Sequence, residues 1–197
     1  FELHEALARE AGVPDLIRAN RYLYVHRNAK AVDVEKALSW RLRRQHGSEI
    51  EVLTGKALRD AEPELSPDYQ VGVRLGPMGY TLSPFRLTQS YARLFQARGG
   101  TVLKADVQAI EPAGGTVGIA TSAGRLAADS VVVAAGAWSL ALVKPLGLKL
   151  QLIAERGYHV TYADPGIQLV HVVSELERQF AVTSMEMGLR VAGTEEL

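Results

Sequence analysis

The sequence predicts an α/β fold mixed with α+β: helices around a buried, parallel-type strand in the middle, and a mainly antiparallel sheet toward the end. Three observations carry that expectation. Residues 84–98 place Leu87, Tyr91, Leu94 and Phe95 on one helical stripe, with Arg86, Gln89, Arg93 and Gln96 opposite. Ser130-Val131-Val132-Val133-Ala134-Ala135 is apolar without alternation, as a strand covered on both faces is. Beyond Leu150, short strand-like runs at 150–162, 167–173, 178–183 and 189–192 are separated by Gly, Pro and Asp turns.

The elements follow in order. Leu3, Leu7 and Ala8 suit a short helix over 3–11, stopped by Gly12 and Pro14. Arg21-Tyr22-Leu23-Tyr24-Val25-His26 is aromatic and β-branched, which favours a strand. A second helix is expected from Asp33 as N-cap to Gly47, burying Val34, Leu38 and Leu42, with Arg41, Arg43 and Arg44 near its C-terminal dipole. Ile50–Leu53 reads as a strand, and Thr54 as the cap of a helix ending at Glu62-Pro63. A loop containing Pro63, Ser66 and Pro67 leads to a strand at 70–75. Ser83 caps the clearest helix, Pro84 occupies its first position and Gly99 follows its end. Strands are expected at 101–110, 116–121 and 130–135, with turns near Gly114-Gly115 and Ser122–Gly124. A short helix follows from Trp138 until Pro145.

Composition narrows the function classes. The 197 residues hold 47% apolar and 22% charged side chains, which excludes wholesale disorder. Lys plus Arg equals Asp plus Glu at 22 each, so no general pull toward nucleic acid or an anionic membrane exists. Without cysteine there are no disulfides, thiolate metal sites or Cys nucleophiles, and a reducing compartment is compatible. No apolar run reaches the roughly 18 residues of a membrane-spanning helix. The start inside a helix at Phe1-Glu2-Leu3 and the end at Glu195-Glu196-Leu197 suggest a piece of a longer protein.

Most chemical motifs fail on inspection. His4, His26, His46, His159 and His171 show no ligand spacing, so no metal site is expected. Gly55-Lys56 lacks the first P-loop glycine, and Ala57 stands where Ser or Thr is needed. Gly114-Gly115-Thr116-Val117-Gly118 lies between two strands and lacks the dinucleotide spacing. No Gly-x-Ser-x-Gly elbow occurs, and no acid–base pair declares itself, so the catalytic residues are unknown. Ala134-Ala135-Gly136-Ala137-Trp138-Ser139 is different. It is either a strand-to-helix turn of small, closely packed residues or a place where a ligand reaches bare main chain at the carboxyl end of a strand.

At this point the residues carry a resemblance. Val131–Ser139 resembles the late flavin-contacting segment of FAD-dependent oxidoreductases of the D-amino-acid oxidase superfamily. Glu155-Arg156-Gly157-Tyr158-His159 and Gly188-Leu189-Arg190-Val191-Ala192-Gly193-Thr194-Glu195-Glu196 are similar to two stretches of its D-amino-acid dehydrogenase branch. Gly79–Leu87 resembles the segment that opens the helix before the second flavin-domain strand. Four motifs in the expected order are far more specific than one. The family's N-terminal Gly-x-Gly-x-x-Gly loop and its C-terminal flavin contact have no counterpart here, so the resemblance covers an internal fragment. Thr183–Met187 also departs from the Pro and acidic turn of relatives.

The resemblance implies a substrate-domain part at 1–82, a partial FAD-binding α/β domain at 83–147 and a substrate-domain sheet at 148–197. It implies FAD as cofactor of the full-length parent, not retained by this chain, with Val107, Ala135, Gly136 and Trp138 as cofactor contacts. Trp138 is otherwise a packing aromatic. Tyr158, His159, Phe180 and Arg190 are the implied substrate contacts. Tyr158 and His159 alternate on a strand, so at most one faces a ligand. Arg190 is either a carboxylate clamp or one half of a structural ion pair. The implied activity is oxidation of the C–N bond of a small-molecule amino acid, in an enzyme that is cytoplasmic or peripheral to the inner membrane. Alternatives are a flavoenzyme acting on a secondary amine or polyol phosphate, and a non-catalytic α/β binding module. No nucleic-acid partner is implied, and self-association of the fragment is expected because removed flanks would uncover apolar surface.

Overall fold

A computed structural model describes residues 1–196. By internal contacts the chain divides into two compact units. One comprises Phe1–Gly100 with Gly157–Glu195, the other Thr101–Arg156 with Glu196.

The first unit opens with α1 (Glu2–Glu10), which ends where Gly12 turns left-handed at φ 72°. Strand β1 (Ile17–His26) is longer than the aromatic run suggested, because Ile17–Asn20 pairs with the far end of β3 (Val71–Thr81). Between them lie α2 (Leu38–Gln45), β2 (Glu49–Thr54) and α3 (Gly55–Ala61). Helix α4 (Pro84–Ala97) starts as its sequence requires: the Ser83 hydroxyl accepts the Arg86 N–H at 3.3 Å. Leu87 packs with Ala8 of α1 and Leu16, with Tyr91 beside them.

Helix α2 departs from expectation. Residues 33–37 form a turn instead of a helix, closed by the Asp33 carboxylate, which accepts the N–H groups of Glu35 and Lys36 at 3.1 and 3.0 Å. Those two bonds, that of Lys36 first, hold the Asp33 carboxyl below its ordinary value. The buried residue of α2 is Trp40, set edge-on against Tyr24 at 5.2 Å, and not Leu38 or Leu42, which are 62% and 43% exposed. A large ring on the opposite side of the helix buries more area than the two leucines, and it decides which way the helix faces.

Strands β7 (Arg156–Tyr162), β8 (Val172–Glu175), β9 (Phe180–Met185) and β10 (Gly188–Glu196) complete a seven-stranded sheet in the order β2-β3-β1-β8-β9-β10-β7. The β2–β3, β3–β1, β8–β9 and β9–β10 pairs are antiparallel and β1–β8 is parallel, so the sheet is mixed. A parallel pair needs a long crossover, and here the chain between β1 and β8 supplies it. One core, with Leu23, Val25, Leu53, Leu58 and Val173, lies under α3; another, with Val34, Trp40 and Val73, lies under α2.

The second unit holds β4 (Val107–Ala113), β5 (Thr116–Thr121) and β6 (Gly124–Ala128) as an antiparallel meander, then α5 (Ser139–Val143). The β4–β5 hairpin turns through Gly114 and Gly115 at φ 56° and 92°, the mirror-image turn that fits strand twist. Residues 101–106 and 130–135, expected as strands, form none among the described residues, and Val132 is 89% exposed. An apolar run becomes a strand only with a neighbour to bond to, and neither segment is paired into a sheet among the described residues. β6, for which the sequence predicted no strand, follows the expected turn at Ser122–Gly124 and forms because its backbone pairs with β5. Among the described residues no helix is long and apolar enough to cross a membrane.

Candidate functional site

In the second unit the small-residue turn is open. Gly136 adopts φ 54°, and a Cβ added there would meet no atom within 4 Å. Ala134 and Ala135 line an apolar cavity of about 410 Å³ with Leu103, Val107 and Val131–Val133. Val107 and Ala135 are therefore brought together. Trp138 is not among the lining residues of that cavity. It is 77% exposed and borders a separate cavity of about 470 Å³ with Ala137, Arg156 and Glu196, where Arg156 and Glu196 pair at 3.7 Å.

In the first unit a cavity of about 460 Å³ gathers Tyr158 and His159 from β7, Phe180 from β9, and residues 191–194 from β10. Three of the four residues nominated as substrate contacts thus share one space. Tyr158 and His159 both border it, against the expectation that only one would face a ligand. β7 is the last strand in the sheet order, and at such an edge a cavity reaches both sides of the strand. Gly193 brings β10 against Phe180: an added Cβ would lie 2.6 Å from the Phe180 Cα and from the Gln179 carbonyl.

Arg190 lies elsewhere. It sits on β10 opposite Thr183, its Nε is buried without a hydrogen-bond partner, and it forms no ion pair with any described residue. The structural ion pair expected of it is not formed among the described residues, and its directly opposite residue, Thr183, is uncharged. The cation that does border the cavity is Arg178, which sequence reasoning missed. It stands in the β8–β9 hairpin, where no periodicity or motif marks it. Its N–H donates to the buried Glu175 carboxylate at 2.5 Å, and Gln179 beside it is left-handed at φ 57°. Burial first, and then the charge of Glu175, pushes the nearby Tyr69 phenol above its ordinary value, while Arg27 and Arg178 oppose the shift.

The hairpin is anchored from below by one carboxylate. Glu62, at the end of α3 and 0% exposed, accepts the N–H of Val170 at 3.0 Å, the N–H of His171 at 2.9 Å, and pairs with Nδ1 of His171 at 3.2 Å. That clasp fixes the entry into β8. Among the described residues no three His, Asp or Glu gather as a metal site would require.

Comparison with known proteins adds to this geometry. Residues 1–197 match the family described as FAD dependent oxidoreductase. The chain is 34% identical over 196 residues to a D-amino-acid oxidase of Bradyrhizobium diazoefficiens, covering 99% of this chain and 46% of that one. It is 33% identical over 161 residues to a D-amino acid dehydrogenase of the same organism, covering 78% and 38%. The chain therefore spans less than half the length of these relatives. In structure it is similar to a glycine oxidase from Geobacillus kaustophilus, with a TM-score of 0.82 at 20% identity, over 99% of this chain and 52% of that one.

Proposed function

We propose, starting from the fact that this chain belongs to the FAD dependent oxidoreductase family, that it supplies the substrate-binding sheet and part of the flavin-binding region of an enzyme that oxidises the C–N bond of an amino acid. The observation that carries the reading is the meeting of Tyr158, His159 and Phe180 in one cavity, in a chain similar along nearly its whole length to a D-amino-acid oxidase. The first unit, Phe1–Gly100 with Gly157–Glu195, serves as the substrate side and the second, Thr101–Arg156 with Glu196, as the partial flavin side, so 83–100 and 148–156 fall on the other side of the divisions that the sequence suggested at 82/83 and 147/148.

The residues of the second unit fit an FAD. The cavity beside Val107 and Ala135 is lined by apolar side chains, as a flat aromatic ring system prefers, and the open Gly136 leaves main chain accessible. Val107 and Ala135 would hold the group in that cavity, with the Gly136 main chain next to Ala135, while Trp138 borders the separate cavity. Bound there, FAD supplies two-electron acceptance, the hard part of the chemistry. The protein's part is to bind and orient. Phe180 offers an apolar wall, the Tyr158 phenol and His159 imidazole offer hydrogen-bonding atoms, and Arg178 places a positive charge at the rim where a carboxylate can dock. For the whole enzyme the proposed compartment is the cytoplasm, either free or peripheral to the inner membrane, and the cysteine-free sequence is compatible with it.

The test is to express the whole protein in which this chain occurs and mix it, purified with its flavin, anaerobically with D-amino acids, glycine, secondary amines and a polyol phosphate. Flavin bleaching by D-amino acids is the expected result. Bleaching by a polyol phosphate alone, or by none of the panel, overturns the proposal.

A further inference from the structure

Glu175, at the end of β8, is a buried carboxylate left half satisfied. It is 2% exposed, and its Oε2 accepts the Arg178 N–H at 2.5 Å. Its Oε1 is buried with no hydrogen-bond partner, and Glu175 forms no ion pair with a described residue. Among the described residues no other carboxylate has a buried oxygen in that state. Such a charge is costly, because neither water nor a cation offsets its desolvation.

Glu175 also borders open space. A cavity of about 460 Å³ in the first unit is lined by Glu175 and Glu195 together with Phe180, Ala192 and Gly193, and by no Lys, Arg or His. Phe180, Ala192 and Gly193 also line the cavity that gathers Tyr158, His159 and Arg178, so the two spaces adjoin along a shared wall. Glu175 and Phe180 lie directly opposite each other on β8 and β9, which sets carboxylate and ring side by side on one face of the sheet. Charge is therefore divided: one cavity carries Arg178, its neighbour two carboxylates.

From this we infer that the acidic cavity receives the cationic end of the substrate's side chain, which makes a basic amino acid such as D-lysine or D-arginine the substrate class. The α-carboxylate docks at Arg178, the methylene stem lies along Phe180, and the terminal ammonium or guanidinium supplies the partner that Glu175 lacks, with Glu195 at the exposed rim. The α-nitrogen is the other cation a carboxylate attracts. It has to be neutral when its C–N bond is oxidised, and a buried carboxylate facing it would keep it protonated. The side-chain cation carries no such requirement. The inference rests on the proposed oxidation of an amino acid and names the substrate class within it.

Two measurements on the whole flavin-loaded protein test it. In turnover with an artificial electron acceptor, D-lysine should exceed its uncharged isostere D-norleucine by about tenfold in kcat/KM. In calorimetric titration, ε-aminocaproate, which has no α-amino group, should bind about tenfold tighter than caproate. Glu175→Gln keeps an oxygen to accept the Arg178 N–H but removes the charge, so both preferences should collapse toward equality. Glu195→Lys, at the exposed rim, should lower both as well, and it decides the matter if the Glu175 variant does not fold. Preferences that survive these variants overturn the inference, because the cation is then recognised elsewhere. If D-norleucine and other neutral D-amino acids are turned over as well as D-lysine, the substrate class is wrong while the oxidation reading stands. If no amino acid is turned over, the oxidation reading falls and the substrate class with it, whatever ε-aminocaproate shows.

Discussion

Glu62 shows how much one side chain can decide. It is buried, its partners are two backbone N–H groups and one imidazole nitrogen, and nothing in the spacing around Glu62-Pro63 marks it out. Glu62→Ala leaves those groups unpaired inside the protein, so urea unfolding should show a loss of about 3 kcal/mol. Glu62→Gln keeps one oxygen acceptor and should cost about 1 kcal/mol. Equal losses in the two variants would mean that bulk, not hydrogen bonding, matters there. Asp33 makes a different prediction. Its carboxyl is held below its ordinary value in the folded chain, so the charged form is favoured by folding. The stability it adds is present above the ordinary carboxylate value and is lost as pH falls through the lowered one. Urea midpoints of Asp33→Asn and the unmodified chain should therefore converge in acid and separate toward neutral pH.

Helices α4 and α2 stand at opposite ends of legibility. In α4 every signal agrees: Ser83 caps, Pro84 leads, and Leu87 is buried on the expected stripe. Ser83→Ala should cost about 1 kcal/mol and Leu87→Ala roughly 3 kcal/mol, both read as denaturation midpoints. Even so, Phe95 at the end of that stripe is exposed and covers Gly100 instead of entering the core. In α2 the helical period is genuine, but the face it presents inward is set by a single tryptophan. Trp40→Ala should therefore destabilise the chain more than Leu38→Ala and Leu42→Ala combined. The opposite ranking would show that the leucines are covered. Periodicity names two candidate faces; only a packing partner chooses between them.

For the molecule as a whole, apolar surface that no described element covers governs behaviour. Val102, Leu103 and Val132 are exposed in extended segments without strand partners. We predict that the 197-residue chain self-associates as concentration rises and does not retain stoichiometric FAD. A clean monomer by light scattering, or an oxidised-flavin spectrum in the purified chain, would show that these segments are already satisfied. The likeness to longer relatives places the proposed activity in a larger assembly of residues than these, and full-length protein is the material in which to measure it.

Local chemistry determined what the residues alone could settle: the capped helix at 84–97, the hairpin at Gly114-Gly115, the glycine at 136 and the family motifs in their order. Each depends on neighbours a few positions away, so spacing suffices. Tertiary structure alone decided that the sheet is mixed, that 130–135 stays unpaired, that Arg178 and not Arg190 borders the cavity with Tyr158, and that Glu62 reaches His171. Those outcomes join residues as far apart as Tyr22 and Val172, whose strands pair across the sheet. A hydrogen bond or a buried charge is worth its energy only when the partner arrives, and which partner arrives is a property of the folded chain.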